Sequence, residues 1–292
     1  MANTWFITGA SRGLGAEIAR VCLGRGDRVV ATSREKRLLS KTLGEDNNQL
    51  LAIQMDVTNA QQVQKAVNQA ISCFGSIDVL VNNAGFGLMG FFEEMTIEDV
   101  QTQFDTNLVG AMNVTWAILP SMRSARSGRI FNISSLGGIV GAQMGSLYCA
   151  SKFALEGFSE CLSKEVSPFG IIVTLVEPGP FRTDFLSPQS MKFGSRTLAD
   201  YDDRSSELRA AFEGRNGHQP GDPYKLADAI ATLAREPNPP GRFVAGSVAL
   251  DAASNKLLSM QSEIVAWRNL SLSTDGQFSD TNIEGLLGQL KD

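Results

Sequence analysis

The residues with the clearest chemical potential are Tyr148 and Lys152, which lie four positions apart in the sequence. If this stretch is helical, both side chains stand on one face, so that an ammonium group lies beside a phenol hydroxyl. A free tyrosine titrates near about 10, and lowering its pKa to about 7 or 8 needs roughly 3 to 4 kcal/mol of preferential stabilisation of the phenolate. One nearby cation in a partly dry site is of that order, so the pair predicts an acid or base that works near neutral pH.

A tyrosine and a lysine at this spacing also occur by chance on helix surfaces, so the interpretation depends on the other motifs. A short apolar strand over 4–8 is followed by Gly9, Gly13 and Gly15, and then by a helical pattern. Strand, glycine loop and helix form the arrangement in which backbone N–H groups and a helix N-terminus bind a pyrophosphate. Gly9 permits the tight turn, Gly13 lets the phosphates approach the backbone, and Gly15 allows close packing of helix on strand.

The second strand, 28–32, ends at Ser33 and Arg34, with no acidic residue at its tip. In dinucleotide sites a carboxylate at this place suits a free ribose 2′-hydroxyl, whereas a basic or small polar residue suits a 2′-phosphate. Ser33 and Arg34 could bind that phosphate, with Arg12 reaching from the glycine loop. The pattern predicts NADP(H) in preference to NAD(H); the alternative is that both arginines are solvated surface residues.

Strands alternate with helices along the chain, and each strand is a continuous apolar run. This pattern predicts an α/β fold: a Rossmann-type, doubly wound parallel sheet of about seven strands in a single domain, with helices on both faces. Ligands of such sheets gather at the carboxyl ends of the strands, where all these motifs lie. The expected strands are 4–8, 28–32, 50–55, 77–81, 129–134, 171–176 and 242–245.

Three further segments follow expected strands or interrupt an expected helix. Asp56 follows the third strand and could accept a hydrogen bond from an adenine amino group, or could cap the helix that begins near Asn59. The segment 82–85 follows the fourth strand, where small residues and an amide pair let a flat ligand lie against the strand end. A long helix is expected over 96–122, and it contains Asn107.

The catalytic and dinucleotide-binding domain is expected over 1–250, with a C-terminal helix and polar tail over 251–292 that belong to the same domain. Residues 184–221 are polar and irregular. A loop of that length in a compact domain is usually functional, so we expect a substrate lid there.

Composition narrows the class of function. A net charge of −5 argues against a nucleic-acid or anionic-membrane partner. The four cysteines have no C-x-x-C spacing and the chain has one histidine, His218, so no metal site is expected and the thiols are expected to be free. No secretory signal and no apolar run of membrane-spanning length is visible, which predicts a cytoplasmic protein.

In combination, the motifs resemble those of the short-chain dehydrogenase/reductase family in its T-G-x-x-x-G-x-G form. The matching positions, in order, are Thr8 to Gly15, Asn82 to Gly85, Asn107, Ser135, Tyr148, Lys152 and Pro178-Gly179. The resemblance covers roughly residues 3–250, and within the family it is nearest to the branch of hydroxysteroid, retinol and other bulky-ketone reductases.

The resemblance implies a role for each catalytic residue. Tyr148 would be the general acid in carbonyl reduction and the base in alcohol oxidation, while Lys152 would lower its pKa and hold the nicotinamide ribose. Ser135 would polarise the substrate oxygen, with the neighbouring Ser134 structural. Asn107 would anchor a water chain that relays protons to Lys152.

The same resemblance and the motifs above give a set of expected cofactor-binding residues, of which Tyr148 and Lys152 are shared with catalysis. The turn over 179–183 would close over the nicotinamide carboxamide. The others are Gly9, Ser11, Arg12, Gly13, Leu14, Gly15, Ser33, Arg34, Asp56, Val57, Asn83, Ala84, Gly85, Pro178, Gly179, Phe181 and Thr183.

The leading hypothesis is an NADP(H)-dependent carbonyl reductase or alcohol dehydrogenase that acts on an apolar small-molecule substrate and forms a homodimer or homotetramer. A catalytically silent NADP(H)-sensing protein is the main alternative, and a sugar-nucleotide epimerase or dehydratase is a third. An apolar substrate pocket could be lined by seven residues, for which a place in the ordinary hydrophobic core is the alternative: Phe86, Leu88, Met89, Leu136, Val140, Met144 and Phe181.

Overall fold

A computed structural model describes residues 2–276 of the chain. Seven of its strands form one parallel sheet in which the chain's third, second and first strands are followed by the fourth, sixth, seventh and ninth. The strands are β1 (Thr4–Thr8), β2 (Arg28–Ser33), β3 (Leu50–Gln54), β4 (Val79–Asn82), β5 (Gly87–Met89), β6 (Gly128–Ile133), β7 (Ile171–Pro178), β8 (Met191–Phe193) and β9 (Arg242–Ala245). The expected doubly wound parallel sheet is therefore confirmed.

The strand order reverses between β1 and β4, which pair directly with each other. In open α/β sheets this switch point leaves a crevice at the carboxyl ends of the strands, where ligands bind. β4 begins two residues later than the sequence pattern predicts. The residue before it, Asp78, accepts a hydrogen bond from the backbone N–H of Thr4 at 2.7 Å and so fixes the amino end of β1.

Helices cover both faces of the sheet. The helices are α1 (Gly13–Gly24), α2 (Lys36–Leu43), α3 (Ala60–Phe74), α4 (Ile97–Phe104), α5 (Gly110–Ala125), α6 (Ser146–Val166), α7 (Asp202–Arg215), α8 (Pro223–Leu233), α9 (Ser247–Ala266) and α10 (Arg268–Leu272). Alternate strand residues point to opposite faces, so Ile7 of β1 packs in the core beneath α1, α2 and α8, whereas Phe6 packs beneath α3, α5 and α6.

The single long helix expected over 96–122 is interrupted. α4 and α5 are joined by a π-helical turn over Asp105–Val109. Gly110 begins α5 where a Cβ atom would come within 2.5 Å of the Val57 side chain, so the helix passes unusually close to the end of β3. Asn107 lies in this turn and is buried, and π-helical turns of this kind occur frequently at functional sites.

The segment 184–221, expected to be irregular, contains regular structure. β8 pairs in parallel with β5 to form a second, two-stranded sheet, and α7 is a helix of 14 residues. The sequence concealed α7 because Ser205 is its one buried residue, so no apolar stripe marks it.

The C-terminal part of the described chain is helical. α9 begins at Ser247, so the division expected between 250 and 251 falls inside one helix. The polar tail expected to follow lies largely outside the described residues, which end at 276. No helix among the described residues is both long and apolar enough to cross a bilayer.

Candidate active site

α6 places Tyr148, Lys152 and Glu156 in one row, because residues four apart share a helix face. All three side chains are buried: Tyr148 is 8% exposed, Lys152 7% and Glu156 5%. Lys152 Nζ donates a hydrogen bond of 2.7 Å to the carbonyl of Ile133 at the carboxyl end of β6, and it lies 5.9 Å from the centre of the Tyr148 ring. The structure therefore brings the tyrosine and lysine together as their spacing predicts.

Burial governs the ionisation of both groups. It raises the pKa of Tyr148 to about 12, and the hydrogen bond with Ser135 opposes this shift. It lowers the pKa of Lys152 to about 8, while the negative charge of Glu156 opposes that shift. Burial therefore shifts the pKa of the phenol in the direction opposite to the expected lowering toward 7 or 8, and it brings the pKa of the amine closer to neutrality.

The two serines at the end of β6 have different environments. Ser135 begins a short 3-10 turn, and its hydroxyl accepts a hydrogen bond of 3.0 Å from Gly137 N–H while also interacting with Tyr148. Ser134 is buried, and its Oγ lies so close to Gly138 that a Cβ atom there would approach within 2.5 Å. Ser135 is thus the hydroxyl beside the phenol, and Ser134 faces the interior toward Glu156.

Asn107 is fixed by hydrogen bonds to the main chain of Phe86. Its Oδ1 accepts from Phe86 N–H at 3.0 Å, and its Nδ2 donates to Phe86 O at 3.0 Å and to Ser151 Oγ at 3.1 Å. Ser151 lies in α6 between the tyrosine and the lysine. The Asn107 side chain therefore links the segment after β4 to the helix that carries the reactive pair.

The glycine loop has a shape that fits a pyrophosphate. Gly9 and Gly13 have positive φ angles of 65° and 53°. A Cβ atom at Gly15 would lie 2.5 Å from Asn83 Nδ2, so the helix can approach the loop only with glycine there. The Arg12 side chain does not cap α1, which leaves the first N–H groups of the helix for an anion.

The segment after β4 braces this loop. Asn83 Nδ2 donates to the carbonyls of Thr8 and Gly9 at 2.9 and 3.2 Å, and Thr8 Oγ1 accepts from the N–H groups of Asn83 and Ala84. Gly85 leaves room for Asn107, whose Oδ1 would lie 3.1 Å from a Cβ atom at that position. The side chain of Asn83 thus stabilises the glycine loop through its carbonyl groups.

The three residues expected at a ribose phosphate are placed differently from one another. Arg34 is exposed at the tip of β2. Ser33 Oγ is engaged in a local turn, where it donates to the carbonyl of Glu35 at 2.8 Å. Arg12 turns the other way: its Nε donates to Ser190 Oγ at 3.0 Å and its Nη2 to the carbonyl of Gln189 at 2.9 Å. Among the residues that the structure describes, the Arg34 side chain has no hydrogen-bonding partner, whereas that of Arg12 has two.

Asp56 is not the cap of the helix that follows it. Asn59 caps α3, since its side chain accepts a hydrogen bond from Gln62 N–H. The carboxylate of Asp56 accepts instead from the N–H and hydroxyl of Thr58 at 2.9 and 2.8 Å. The capping alternative is therefore wrong, and Asp56 lies half-buried at the end of β3.

The remaining expected cofactor residues divide between the loop and the turn after β7. Gly179 N–H donates to Ala245 O at 3.0 Å, which ties the turn to β9. Thr183 lies 3.7 Å from the point where a Cβ atom of Gly13 would be, so the turn passes close to the glycine loop. Phe181 packs against Gly221 and the main core rather than the space around Tyr148, and its expected place in the substrate pocket is wrong.

Of the other expected residues, Leu14 packs against the core under α1, and Val57 is buried beside Gly110. Ser11 contributes its carbonyl, which accepts a hydrogen bond of 2.9 Å from the Thr42 hydroxyl. Pro178 ends β7, one residue before the turn.

An apolar cluster covers the phenol. The ring of Phe185 lies 5.6 Å from the Tyr148 ring, tilted by 52°. The other members of the cluster are Met89, Cys149, Leu186, Met191, Phe193 and Phe212. Met89 is one of the residues considered for the substrate pocket. Five members of the cluster come from 184–221, where isolated apolar residues in a polar segment are the one sequence signal that this segment lines a pocket. Leu88 and Phe86 pack in a neighbouring cluster.

A buried acid pair lies beyond Lys152. Glu156 of α6 and Glu177 of β7 are both in contact with Arg242 of β9, whose Nη1 lies 3.0 Å from Glu177 Oε1 and donates also to Glu156 Oε2. Arg242 Nη2 bonds to Glu160 at 2.8 Å. Burial and the charge of Glu177 raise the pKa of Glu156 to about 7. No local sequence pattern indicates this cluster, because its members lie far apart along the chain.

Comparison with known proteins gives consistent relatives. A family model described as short chain dehydrogenase matches residues 3–192. The chain is 36% identical over 275 residues to the oxidoreductase BOA17 of Botryotinia fuckeliana, which covers 94% of this chain and all of that protein. It is 43% identical over 244 residues to the 3-ketodihydrosphingosine reductase of Bacteroides thetaiotaomicron, covering 82% of this chain and 86% of that protein.

Solved structures resemble the whole fold. A short-chain dehydrogenase from Streptomyces avermitilis superposes with a TM-score of 0.87 at 36% identity, covering 94% of this chain and 100% of that one. ElxO with NADP bound superposes with a TM-score of 0.68 at 28% identity, covering 83% of this chain and 96% of that one.

The acid pair predicts a pH-dependent stability. Folding raises the pKa of the Glu156 carboxyl above its ordinary value of 4.5. The resulting contribution to stability is fully present when the pH is below 4.5, and it is lost as the pH rises through about 7. Glu156→Gln keeps the shape and an acceptor for Arg242 but does not titrate. We expect the unfolding free energy of the wild type, relative to Glu156→Gln, to fall by about 1 to 3 kcal/mol between about pH 5 and about pH 8.

Chemical denaturation at several pH values measures this difference. Glu160→Gln is the matched control, because Glu160 also bonds to Arg242 but its side chain is 62% exposed. A wild-type-minus-Glu156→Gln difference that is constant with pH would contradict the assigned ionisation.

Proposed function

The chain belongs to the short-chain dehydrogenase/reductase family and is an oxidoreductase that acts on CH–OH and C=O groups, and we propose that it is an NADP(H)-dependent enzyme interconverting a ketone or aldehyde with an alcohol. The observation that carries this proposal is the burial of Tyr148 and Lys152 side by side at the carboxyl edge of the sheet, with the hydroxyl of Ser135 against the phenol.

A nicotinamide dinucleotide, when bound, supplies or accepts the hydride. The glycine loop and the N-terminus of α1 would hold its pyrophosphate, since Gly9, Gly13 and Gly15 leave the backbone open there. Asp56 at the end of β3 would meet the adenine, and the turn over 179–183, which approaches Gly13, would close over the nicotinamide end. The shape of the glycine loop supports the first of these assignments, that of the pyrophosphate.

The chain's own residues would move the proton. In the reducing direction, Ser135 donates a hydrogen bond to the carbonyl oxygen and polarises it. Tyr148, whose raised pKa keeps it protonated across the physiological range, gives its proton to the same oxygen. Lys152, whose Nζ lies 5.9 Å from the centre of the ring, then stabilises the resulting phenolate. In alcohol oxidation the same proton returns to Tyr148.

Asn107 would act as a positioning residue. Its amide holds the main chain of Phe86 and the hydroxyl of Ser151, so both hydrogen-bonding atoms are already engaged. The water chain to Lys152 stays a prediction, since Asn107 Oδ1 accepts one hydrogen bond, from Phe86 N–H, and keeps a second lone pair for a water. Its effect on catalysis would come from the register of α6 against the strand ends.

The preference for NADP(H) rests on the tip of β2. Ser33 replaces the carboxylate that a free 2′-hydroxyl would require, and Arg34 is exposed beside it. The solved relative ElxO binds NADP. Arg12 could join Arg34 only by releasing Ser190 and Gln189, so we assign the main charge contact to Arg34.

The substrate is proposed to be apolar near its reacting carbon. Phe185, Met191 and Phe212 bring aromatic and aliphatic surface onto Tyr148, and all three come from the proposed lid, 184–221. Opening of this segment would be required for entry, because Tyr148 is 8% exposed. A relative named for reduction of a ketodihydrosphingosine is consistent with such a pocket. Cytoplasmic location and a homo-oligomeric state remain predictions from the sequence.

Tyr148→Phe tests the proton assignment. The variant lacks the hydroxyl but keeps the ring that packs on Phe185, so we expect turnover of aldehydes and ketones to fall by at least about a hundredfold while NADPH affinity changes less than about threefold. Turnover is measured by NADPH absorbance and affinity by fluorescence titration. Tyr224→Phe, at an exposed tyrosine, is the control. Near-normal turnover in Tyr148→Phe would refute the assignment, whereas a wild type that binds NADPH but reduces nothing would favour the sensing alternative.

Arg34→Ala tests the cofactor preference. Loss of a charge-assisted contact to the 2′-phosphate should weaken NADPH binding by roughly ten- to a hundredfold and NADH binding by less than about twofold. Arg37→Ala is the matched control, because Arg37 is also exposed but is paired with Glu35. Equal losses for the two cofactors would show that Arg34 has no role in discrimination.

A further inference from the structure

Lys152 is a buried amine without a carboxylate in direct contact. Within residues 2–276, its Nζ donates one hydrogen bond, to the carbonyl of Ile133. No Asp or Glu oxygen of the same residues lies within 4.0 Å of that nitrogen. A buried ammonium without a counter-charge is unfavourable, so the amine would lose its proton unless an acid nearby offsets the charge.

Glu156 is the acid that is placed to do so. It lies one helical turn beyond Lys152 on the same face of α6, where side chains four residues apart have Cβ atoms about 5 to 6 Å from each other. Both side chains are buried, so salt screens their interaction only weakly. In agreement with this geometry, the charge of Glu156 raises the pKa of Lys152 against the effect of burial.

The Glu156 carboxyl is held with one oxygen toward the end of β6. Its Oε2 accepts a hydrogen bond from Arg242, whereas its Oε1 has no partner among the described residues. A Cβ atom at Gly138 would lie 2.9 Å from that Oε1 and 2.5 Å from Ser134 Oγ. Glycine at 138 therefore lets the carboxyl approach the strand end where the carbonyl of Ile133 binds the amine.

The charges around this row match in number only when Glu156 is included. Four side chains that can ionise surround the Lys152–Glu156 pair: Tyr148 and Glu160 of α6, Glu177 of β7 and Arg242 of β9. β6 adds the uncharged Ser134, and the π-helical turn adds the uncharged Asn107. Glu177 is fully buried and lies 3.0 Å from Arg242, so these two offset each other. Among all charged groups of the described residues, Glu156 is the one that acts on the Lys152 amine.

We propose that Glu156 is a positioning residue of the active site, whose carboxylate keeps the buried Lys152 amine charged and therefore able to stabilise the Tyr148 phenolate. Arg242 and Glu177 hold this carboxylate in place. No bond forms or breaks at Glu156, and the proton that reaches the substrate oxygen still comes from Tyr148. The effect on the reaction rests on the proposed function, whereas the charge relation between Glu156 and Lys152 does not.

The effect belongs to the alkaline side of neutrality. Glu156 has a pKa of about 7 and Lys152 a pKa of about 8, so the carboxyl is charged at the pH where the amine loses its proton. At lower pH the amine keeps its proton even when Glu156 is neutral. Glu156 therefore extends the pH range of the charged amine upward.

Glu156→Gln tests the proposal because it removes the charge and keeps the shape. The folded protein already accommodates a neutral side chain there when Glu156 is protonated, so the variant is expected to fold. Two unit charges about 6 Å apart at an effective dielectric constant of about 20 shift a pKa by roughly one to two. We expect the Lys152 pKa to fall from about 8 to about 7 or below, measured by NMR of lysine labelled at Cε in the full chain without added nucleotide.

Two further variants separate charge from packing. Glu177→Gln is the matched control, since Glu177 is also buried and bonded to Arg242 but does not lie on α6. It should move the Lys152 pKa by less than a third as much as Glu156→Gln does. Glu156→Asp retains the charge and should restore most of the wild-type value. The proposal is overturned if Glu156→Gln leaves the Lys152 pKa unchanged, or if Glu177→Gln lowers it equally.

The pH dependence of turnover gives the functional measurement. In NADPH-dependent reduction, the loss of kcat in Glu156→Gln should grow from less than about twofold at about pH 6 to about five- to tenfold at about pH 8.5, because the charged fraction of Lys152 falls, while KM changes little. A loss that is the same at every pH would contradict the proposal. A wild type that reduces no carbonyl compound would count against the proposed function alone, because the NMR comparison needs no turnover.

Discussion

Burial of ionisable groups along one face of α6 is the constraint on which the rest of the site depends. A phenol, an ammonium and a carboxyl group stand there in successive turns, and each loses most of its hydration. The fold compensates each one locally: Ser135 contacts the phenol, the carbonyl of Ile133 accepts from the amine, and Arg242 approaches the carboxyl. The compensation is incomplete, so the pKa of each group shifts in the direction that favours its neutral form: upward for the phenol and the carboxyl group, downward for the amine.

The elements around α6 serve to hold that row in place. The π-helical turn directs Asn107 to Ser151, which lies next to Lys152 on the helix, and Asn83 fixes the glycine loop against the end of β1. Arg12 ties the same loop to Gln189 and Ser190 of the proposed lid. The side chains of Asn107, Asn83 and Arg12 therefore link the glycine loop, the apolar cluster over Tyr148 and the reactive pair.

Local features of the sequence predicted the sheet, its cover on both faces, the glycine loop and the placement of Tyr148 next to Lys152. The alternation of strands with helices, the positions of glycines in a loop and the spacing of residues along a helix are properties of short segments, so they can be recognised from the sequence alone. The acid pair, the direction of the Tyr148 pKa shift and the contact of Arg12 with Ser190 depend on residues distant in sequence. α7 could not be predicted because Ser205 is its one buried residue, so no apolar stripe marks the helix. The apolar cluster over Tyr148 could not be predicted because its members are scattered along the chain.

The most direct test of the account is a titration of the Lys152 amine in the folded protein, followed by NMR of lysine labelled at Cε and assigned with Lys152→Met. Because burial lowers its pKa to about 8, one lysine signal that is missing in the variant should titrate near that value, about two units below an ordinary lysine. A Lys152 signal that titrates with the exposed lysines, at about 10.4 or above, would show that the amine is not desolvated and would contradict the account.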